Sequence, residues 1–162
     1  MGALMHNPSV ALLGAGVDMR RVGLIGALLA AGVLSGCASQ GLLSGDTPGL
    51  SESFIVTADF QAAYRRAGEY VRVCHEQRPH PYGVVYQSSR RLGDRGAPNE
   101  VHVFKREEPT KILEIIQSQT ETPSTARVTV RVLGDGKWDA AEIAAAKASI
   151  QSATPVCRQD VG

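Results

Sequence analysis

Aromatic side chains are scarce in this 162-residue sequence, which holds one Trp, three Phe and four Tyr. A core built from such material must be filled by Val, Ile and Ala rather than by rings. An excess of charge of either sign is missing too. Seventeen basic residues stand against sixteen acidic ones, a net charge of +1, and this gives no support for a nucleic-acid-binding protein. Past residue 40 no apolar run approaches the roughly twenty residues that a spanning helix needs, so a polytopic membrane protein is not expected. Familiar reaction motifs are absent as well. There is no Gly-x-Ser-x-Gly elbow, no Walker A loop, no Gly-x-Gly-x-x-Gly after a strand and no EF-hand carboxylate run. What remains is 43% hydrophobic and 20% charged, the composition of a folded domain rather than a disordered chain.

The strongest local signal is at the N-terminal side. Met19-Arg20-Arg21 is a short basic start, and an uncharged, mostly apolar stretch follows from Val22 to Val33. A basic n-region before a short h-region reads as a secretory leader. The stretch ends in Leu34-Ser35-Gly36-Cys37. This resembles the bacterial lipobox, where a large apolar residue and two small ones precede the cysteine that carries the lipid. The resemblance implies a diacylglycerol thioether on Cys37, cleavage before it and acylation of the new amine. It makes residues 19–36 a lipoprotein signal peptide within a leader over 1–36. Residues 1–18 do not fit the pattern, since Asp18 sits where an n-region is basic, and a mis-called start at Met1 with Met19 as the true start is the simplest reading. Two acyl chains suffice for stable anchoring. Ala38, rather than Asp, follows Cys37, which in the Gram-negative lipoproteins this resembles implies transfer to the outer membrane, facing the periplasm.

Residues 37–51 then read as the lipidated Cys and a flexible tether rich in Gly, Ser, Pro and Thr. The folded part is expected over 52–162. Ser53–Thr57 is a short β-branched run, a strand. Phe60, Tyr64, Ala67, Val71 and Cys74 recur at helical spacing, with Gln61, Arg65, Arg66, Glu69 and Arg72 opposite. Thr57 or Asp59 can cap this helix and Pro79 stops it. Strands are expected over Tyr82–Ser89, Glu100–Lys105, Lys111–Thr120 and Ala126–Leu133. The third of these could also be a helix, but its β-branched isoleucines favour a strand. Asp139 caps a last helix, with Glu142 at the reciprocal capping-box position and Ile143, Ala146, Ile150 and Ala153 as its stripe. The order β-α-β-β-β-β-α predicts an α+β domain: an antiparallel sheet of four to five strands with two helices on one face.

Cys74 and Cys157 are the other two thiols. Export would place them in an oxidising compartment, where a disulfide is expected between them. A pair of buried thiols is the alternative, and a redox pair would want closer spacing. Cys74-His75-Glu76 with His80 looks like a metal cluster at first sight. Adjacent residues on a helix diverge by about 100°, however, so the histidines, His102 included, are expected at the surface, with no metal and no cofactor. Arg65, Arg66 and Arg72 are candidate contacts for an anionic partner, weighed against a solvated helix face balanced by Glu69 and Glu76. Trp138 is read as a staple for the last helix.

With lipobox, tether and element order together, the chain resembles a small outer-membrane lipoprotein of the Bordetella type, a group from which no activity carries over. The element order is also similar to helix-grip domains, such as those of the lipoprotein C subunit of the β-barrel assembly machinery, in architecture alone. The expectation is a non-enzymatic lipid-anchored protein, held to the membrane by its acyl chains and acting as an envelope scaffold or accessory subunit beside an envelope protein partner. The alternative is a periplasmic module that binds a lipid or glycan fragment. An apolar pocket would favour the module; a flat exposed apolar patch would favour the scaffold.

Overall fold

A computed structural model describes residues 41–45 and 47–159. The leader, the lipobox residues Leu34–Cys37 and the first residues of the tether lie outside the described residues. The described chain runs β1 (Leu50–Val56), α1 (Phe60–Val71), β2 (Tyr86–Arg91), β3 (Asn99–Lys105), β4 (Glu108–Thr122), β5 (Thr125–Val132) and α2 (Ala140–Ser152). The strands form one antiparallel sheet in the order β1-β5-β4-β3-β2. Both helices lie on one face, α1 across β3, β4 and β5 and α2 across β5 and β1. This is the α+β architecture expected from the residue pattern.

Period-two alternation explains the sheet's two faces. Ala126, Val128, Val130 and Val132 of β5 are buried under the helices while the residues between them are half-exposed. Val101 and Val103 of β3 and Ile116 of β4 join them, with Ala63, Ala67, Tyr70, Val71, Ala146 and Ile150 from the helices. Asp59 caps α1, its side chain accepting from the backbone N–H groups of Gln61 and Ala62 at 2.9 Å each. Asp139 caps α2 in the same manner, through Ala141 and Glu142. Residue Ala153 ends α2 in the left-handed region, two residues before Pro155. No described helix is long and apolar enough to cross a membrane.

Three departures from the expected elements have local causes. The tether is shorter than its composition suggests. Leu42 is 3% exposed and packs with Ile112, Ile115 and Phe104 on the sheet face away from the helices. Its N–H donates to the Ile112 carbonyl at 3.0 Å, and Gly41 bridges Ile112. A Cβ on Gly41 would stand 2.1 Å from the Ile112 carbonyl oxygen, and φ there is +63°, so glycine alone fits. Leu42, among small residues, thus supplies cover for the outer face while Leu43 beside it is exposed, and β1 already begins at Leu50.

The strand expected from Tyr82 begins at Tyr86 instead. Pro81–Gly83 form a single 3-10 turn, in which Tyr82 takes φ +58° and ψ +20°, and two successive positive φ values end any extended run. Finally, α1 does not continue straight to Pro79. Its last turn, Arg72–Glu76, widens into a π-helix, with Gln77 N–H donating to the Arg72 carbonyl at 2.9 Å.

Candidate functional site

The wide turn determines where two neighbouring side chains go. On a straight helix Cys74 continues the core stripe and His75 turns away from it. In the π-turn both are buried, and His75 is 2% exposed. Cys74 is bonded to Cys157, 83 residues further on. His75 points into the core. The expectation of a surface histidine is therefore overturned, because the wider turn rotates residue 75 inward. His102 is buried as well, on the opposite side of the sheet, where its Nε2 meets Glu100 at 2.8 Å. His80 is half-buried, with its Nε2 2.7 Å from the His75 carbonyl oxygen.

A β-bulge places the second member. Val103 faces Glu114, but the next residue of β3, Phe104, faces Ile112, so Leu113 has no opposite number. Leu113 and Glu114 both belong to the helix side, while Ile112 and Ile115 join Leu42 on the other. Glu114 is fully buried. Glu142 is the third member. It stands in the first turn of α2, but its carboxylate turns into the core and accepts from the hydroxyl of buried Tyr70 rather than reaching back to cap the helix. The capping-box expectation fails because a deeper partner is within reach.

Nε2 of His75 lies 3.1 Å from Glu142 Oε1 and 3.4 Å from Glu114 Oε2. Neither approach has hydrogen-bond geometry for His75, and both oxygens of Glu114 are without a hydrogen-bond partner. Burial opposes charge on the imidazole, but the two carboxylates outweigh it and push His75 up to about 9. Burial raises Glu114 above the usual carboxylate range, despite His75. Burial also raises Glu142, yet His75 and the Tyr70 hydroxyl hold it below that range. Tyr70 is pushed well above its ordinary value by burial and then by the two carboxylates.

Above this cluster sits a cleft of about 400 Å³, lined by His80, Pro81, Tyr82, Tyr86, Lys137 and Arg158 among others. The rings of Trp138, Tyr86 and His80 pack on His75, with centroids at 5.2, 6.1 and 6.4 Å. Trp138 is buried as expected of the residue before α2, but its partners are His75 and Tyr86. The Lys137 ammonium stands 4.3 Å from the Tyr86 ring centroid. Arg158 donates to the Lys137 carbonyl and pairs with Asp139 at 3.1 Å. The disulfide one residue away therefore ties this wall of the cleft to α1. Tyr82 is fully exposed on its strained turn.

The three arginines singled out on α1 do not converge on one site: Arg65 and Arg66 line a shallow pocket of about 210 Å³ with Glu69 and Pro155, and Arg72 does not join them. Arg65 is exposed. Arg66 is half-buried and donates to the Ile150 carbonyl at 3.1 Å, which fastens α1 to α2 and removes it from the solvated face assigned to it. Arg72 is taken up by Glu69, at 2.5 and 2.9 Å, and by Gln77.

Sequence reasoning weighed His75 as a ligand beside its neighbours in the chain. It missed Glu114 and Glu142, which are 39 and 67 residues away. One signal was present: Glu114 interrupts the run Ile112-Leu113-Glu114-Ile115-Ile116, and an acid inside an apolar strand needs a reason. No known family model matches the chain, and no curated protein matches it in sequence.

Proposed function

We propose that this protein is a lipid-anchored outer-membrane lipoprotein, non-enzymatic, whose domain works in the periplasm as a binding module for an acidic glycan fragment. The observation that carries the reading is a cleft whose lining residues His80 and Tyr86 pack against His75 of the buried ionisable cluster, which makes it the strongest pocket candidate among the described residues. Its chemistry suggests the ligand. Tyr82 and Tyr86 offer aromatic faces with polar tips, and Lys137, Arg158 and His80 supply cationic or hydrogen-bonding groups at the rim. A ring bearing hydroxyls and a carboxylate matches both. The acid–base groups His75, Glu114 and Glu142 do not line the cleft, which favours binding over catalysis. The scaffold reading wants a flat apolar patch. Among the described residues the large exposed apolar side chains are Leu43, Leu50, Ile55, Tyr82, Leu92 and Val156, spread over five segments, so they lend it little support.

Two measurements test the proposal. The variant Cys37→Ser should leave the membrane fraction for the soluble one, and continued membrane association would argue against the lipid anchor. The full chain in detergent should bind carboxylate-bearing glycan fragments with a change in Trp138 emission, and the change should be lost in Lys137→Ala and reduced in Tyr82→Ala. Absence of glycan binding, with a stoichiometric envelope protein crosslinked in cells, would replace the binding module by the accessory subunit.

A further inference from the structure

We propose that His75, Glu114 and Glu142 form a binding site for one divalent transition-metal ion of the zinc class, inside the fold and independent of what occupies the cleft. One ligand atom from each of the three lies within 4.8 Å of the other two. An ion with bonds of about 2.0–2.2 Å in tetrahedral array holds its ligand atoms about 3.3–3.6 Å apart. The His75 nitrogen stands 3.1 and 3.4 Å from the two carboxylate oxygens, close to that spacing without any ion being assumed.

The hydrogen-bond accounting points the same way. Nε2 of an imidazole carries either one hydrogen or one lone pair. It cannot direct one hydrogen at two carboxylates, and here it makes a proper bond to neither. Glu114 is the stronger case. If ionised, it is a buried charge with neither oxygen hydrogen-bonded and only the His75 imidazole, 3.4 Å away, to offset it; if protonated, its hydroxyl has no acceptor in hydrogen-bond geometry. Either state is costly to the fold if nothing else fills the space, because a buried carboxyl group without hydrogen bonds forgoes the solvation it had in water. A cation between the three ligand atoms satisfies both groups together.

Charge and donor type also agree. Two carboxylates neutralise a dication, and oxygen donors with one imidazole suit zinc better than a soft-metal or an all-oxygen calcium site. Glu142 is already held by an outer partner, the hydroxyl of Tyr70, and His75 by the π-turn and the adjacent disulfide. Three protein ligands leave a fourth position for water.

The test uses the untagged full chain in detergent, stripped with a chelator, and the metal alone. Zn²⁺ should return to one equivalent per chain by elemental analysis, and titration should change the emission of Trp138, whose ring lies 5.2 Å from that of His75. Glu114→Gln keeps the size of the side chain. It should weaken Zn²⁺ binding at least about 100-fold, since loss of an outer partner alone costs 10–100-fold. Equal Zn²⁺ affinity in Glu114→Gln and the unaltered chain would place the ion elsewhere and overturn the site. If Glu114→Gln fails to fold, Glu142→Gln and a Co²⁺ titration of the unaltered chain decide. Ligand-field bands saturating at one Co²⁺ per chain and lost in Glu142→Gln support the site. A flat spectrum, or sub-stoichiometric Zn²⁺ after stripping and reloading, overturns it and leaves an ordered water in that place.

Discussion

Reduction of the Cys74–Cys157 disulfide should cost this domain a large share of its stability without changing its fold. The bond joins residues 83 apart, and for a closed loop of that size the chain-entropy relation gives about 4.5 kcal/mol at room temperature. The native side of the equilibrium is insulated from the change. Without the bond the C-terminal segment is still held by Val156 N–H on the Ser149 hydroxyl at 2.7 Å, by Arg78 on the Arg158 carbonyl at 2.7 Å, and by the Asp139–Arg158 pair. The effect therefore falls on the unfolded chain, which gains freedom. A domain of this size has a total of about 5–15 kcal/mol, so the reduced form is marginal but still folded. Urea unfolding read by Trp138 emission, with and without reductant, gives the number directly. With a slope of about 2 kcal/mol/M, the midpoint should fall by about 2 M. A fall smaller than about 0.5 M, in protein shown to lack free thiols before reduction, would refute the entropic account, because it would mean that the unfolded chain is already held together in that region.

Two further predictions address the helix phase and the outer sheet face. Arg65→Ala should leave stability within about 0.5 kcal/mol, whereas Arg66→Ala should lose about 1–2 kcal/mol through the Ile150 carbonyl bond; equal effects in urea titration would contradict the docking of α1 on α2. Burial raises the carboxyl of Glu100, but Gln117 at 2.7 Å and His102 at 2.8 Å outweigh it and hold the group below its ordinary 4.5. A lowered folded value makes the contribution fully present above the unfolded value and lost as pH falls through the folded one. Stability should therefore decline more steeply below about pH 4.5 in the unaltered chain than in Glu100→Gln, and a Glu100 carboxyl titration midpoint above 4.5 by NMR would contradict the network.

Much of the architecture could be read from local pattern, since each signal involved neighbours in the chain. The valines at 128, 130 and 132 put one face of β5 inside, the stripe 60, 64, 67, 71 and 74 put one face of α1 inside, and Asp59 and Asp139 stood at their caps. Errors arose where a tertiary partner decided the matter. Leu42 sits in a polar, glycine-rich stretch that reads as tether, and what orders it is a gap beside Ile112 and Ile115, two residues of β4. Composition carries no record of that gap. The apolar residues Val84, Val85 and Tyr86 suggest a strand from Tyr82 onward, but Pro81 and Gly83 around Tyr82 allow a turn that lifts its ring into solvent.

The buried cluster was hidden for a different reason: it depends on two irregularities, each worth a single residue. The π-turn at Arg72–Glu76 brings His75 inward, and the bulge at Leu113 changes the phase of β4 so that Leu113 and Glu114 both face the helices while Ile112 faces away. Regular periodicity, the basis of any reading of faces from sequence, assumes that neither occurs. The helix and the strand each depart from regularity where they meet at His75 and Glu114, and Glu142 arrives from α2 at the same point. Each irregularity forgoes regular backbone pairing, and the fold gains no apolar burial from admitting an imidazole and two carboxylates. Two such departures converging on one set of donor atoms are hard to explain as packing alone, since Leu or Met at 75, 114 and 142 would fill the same space at lower cost. The cost makes sense if the three side chains are kept for what they can hold together.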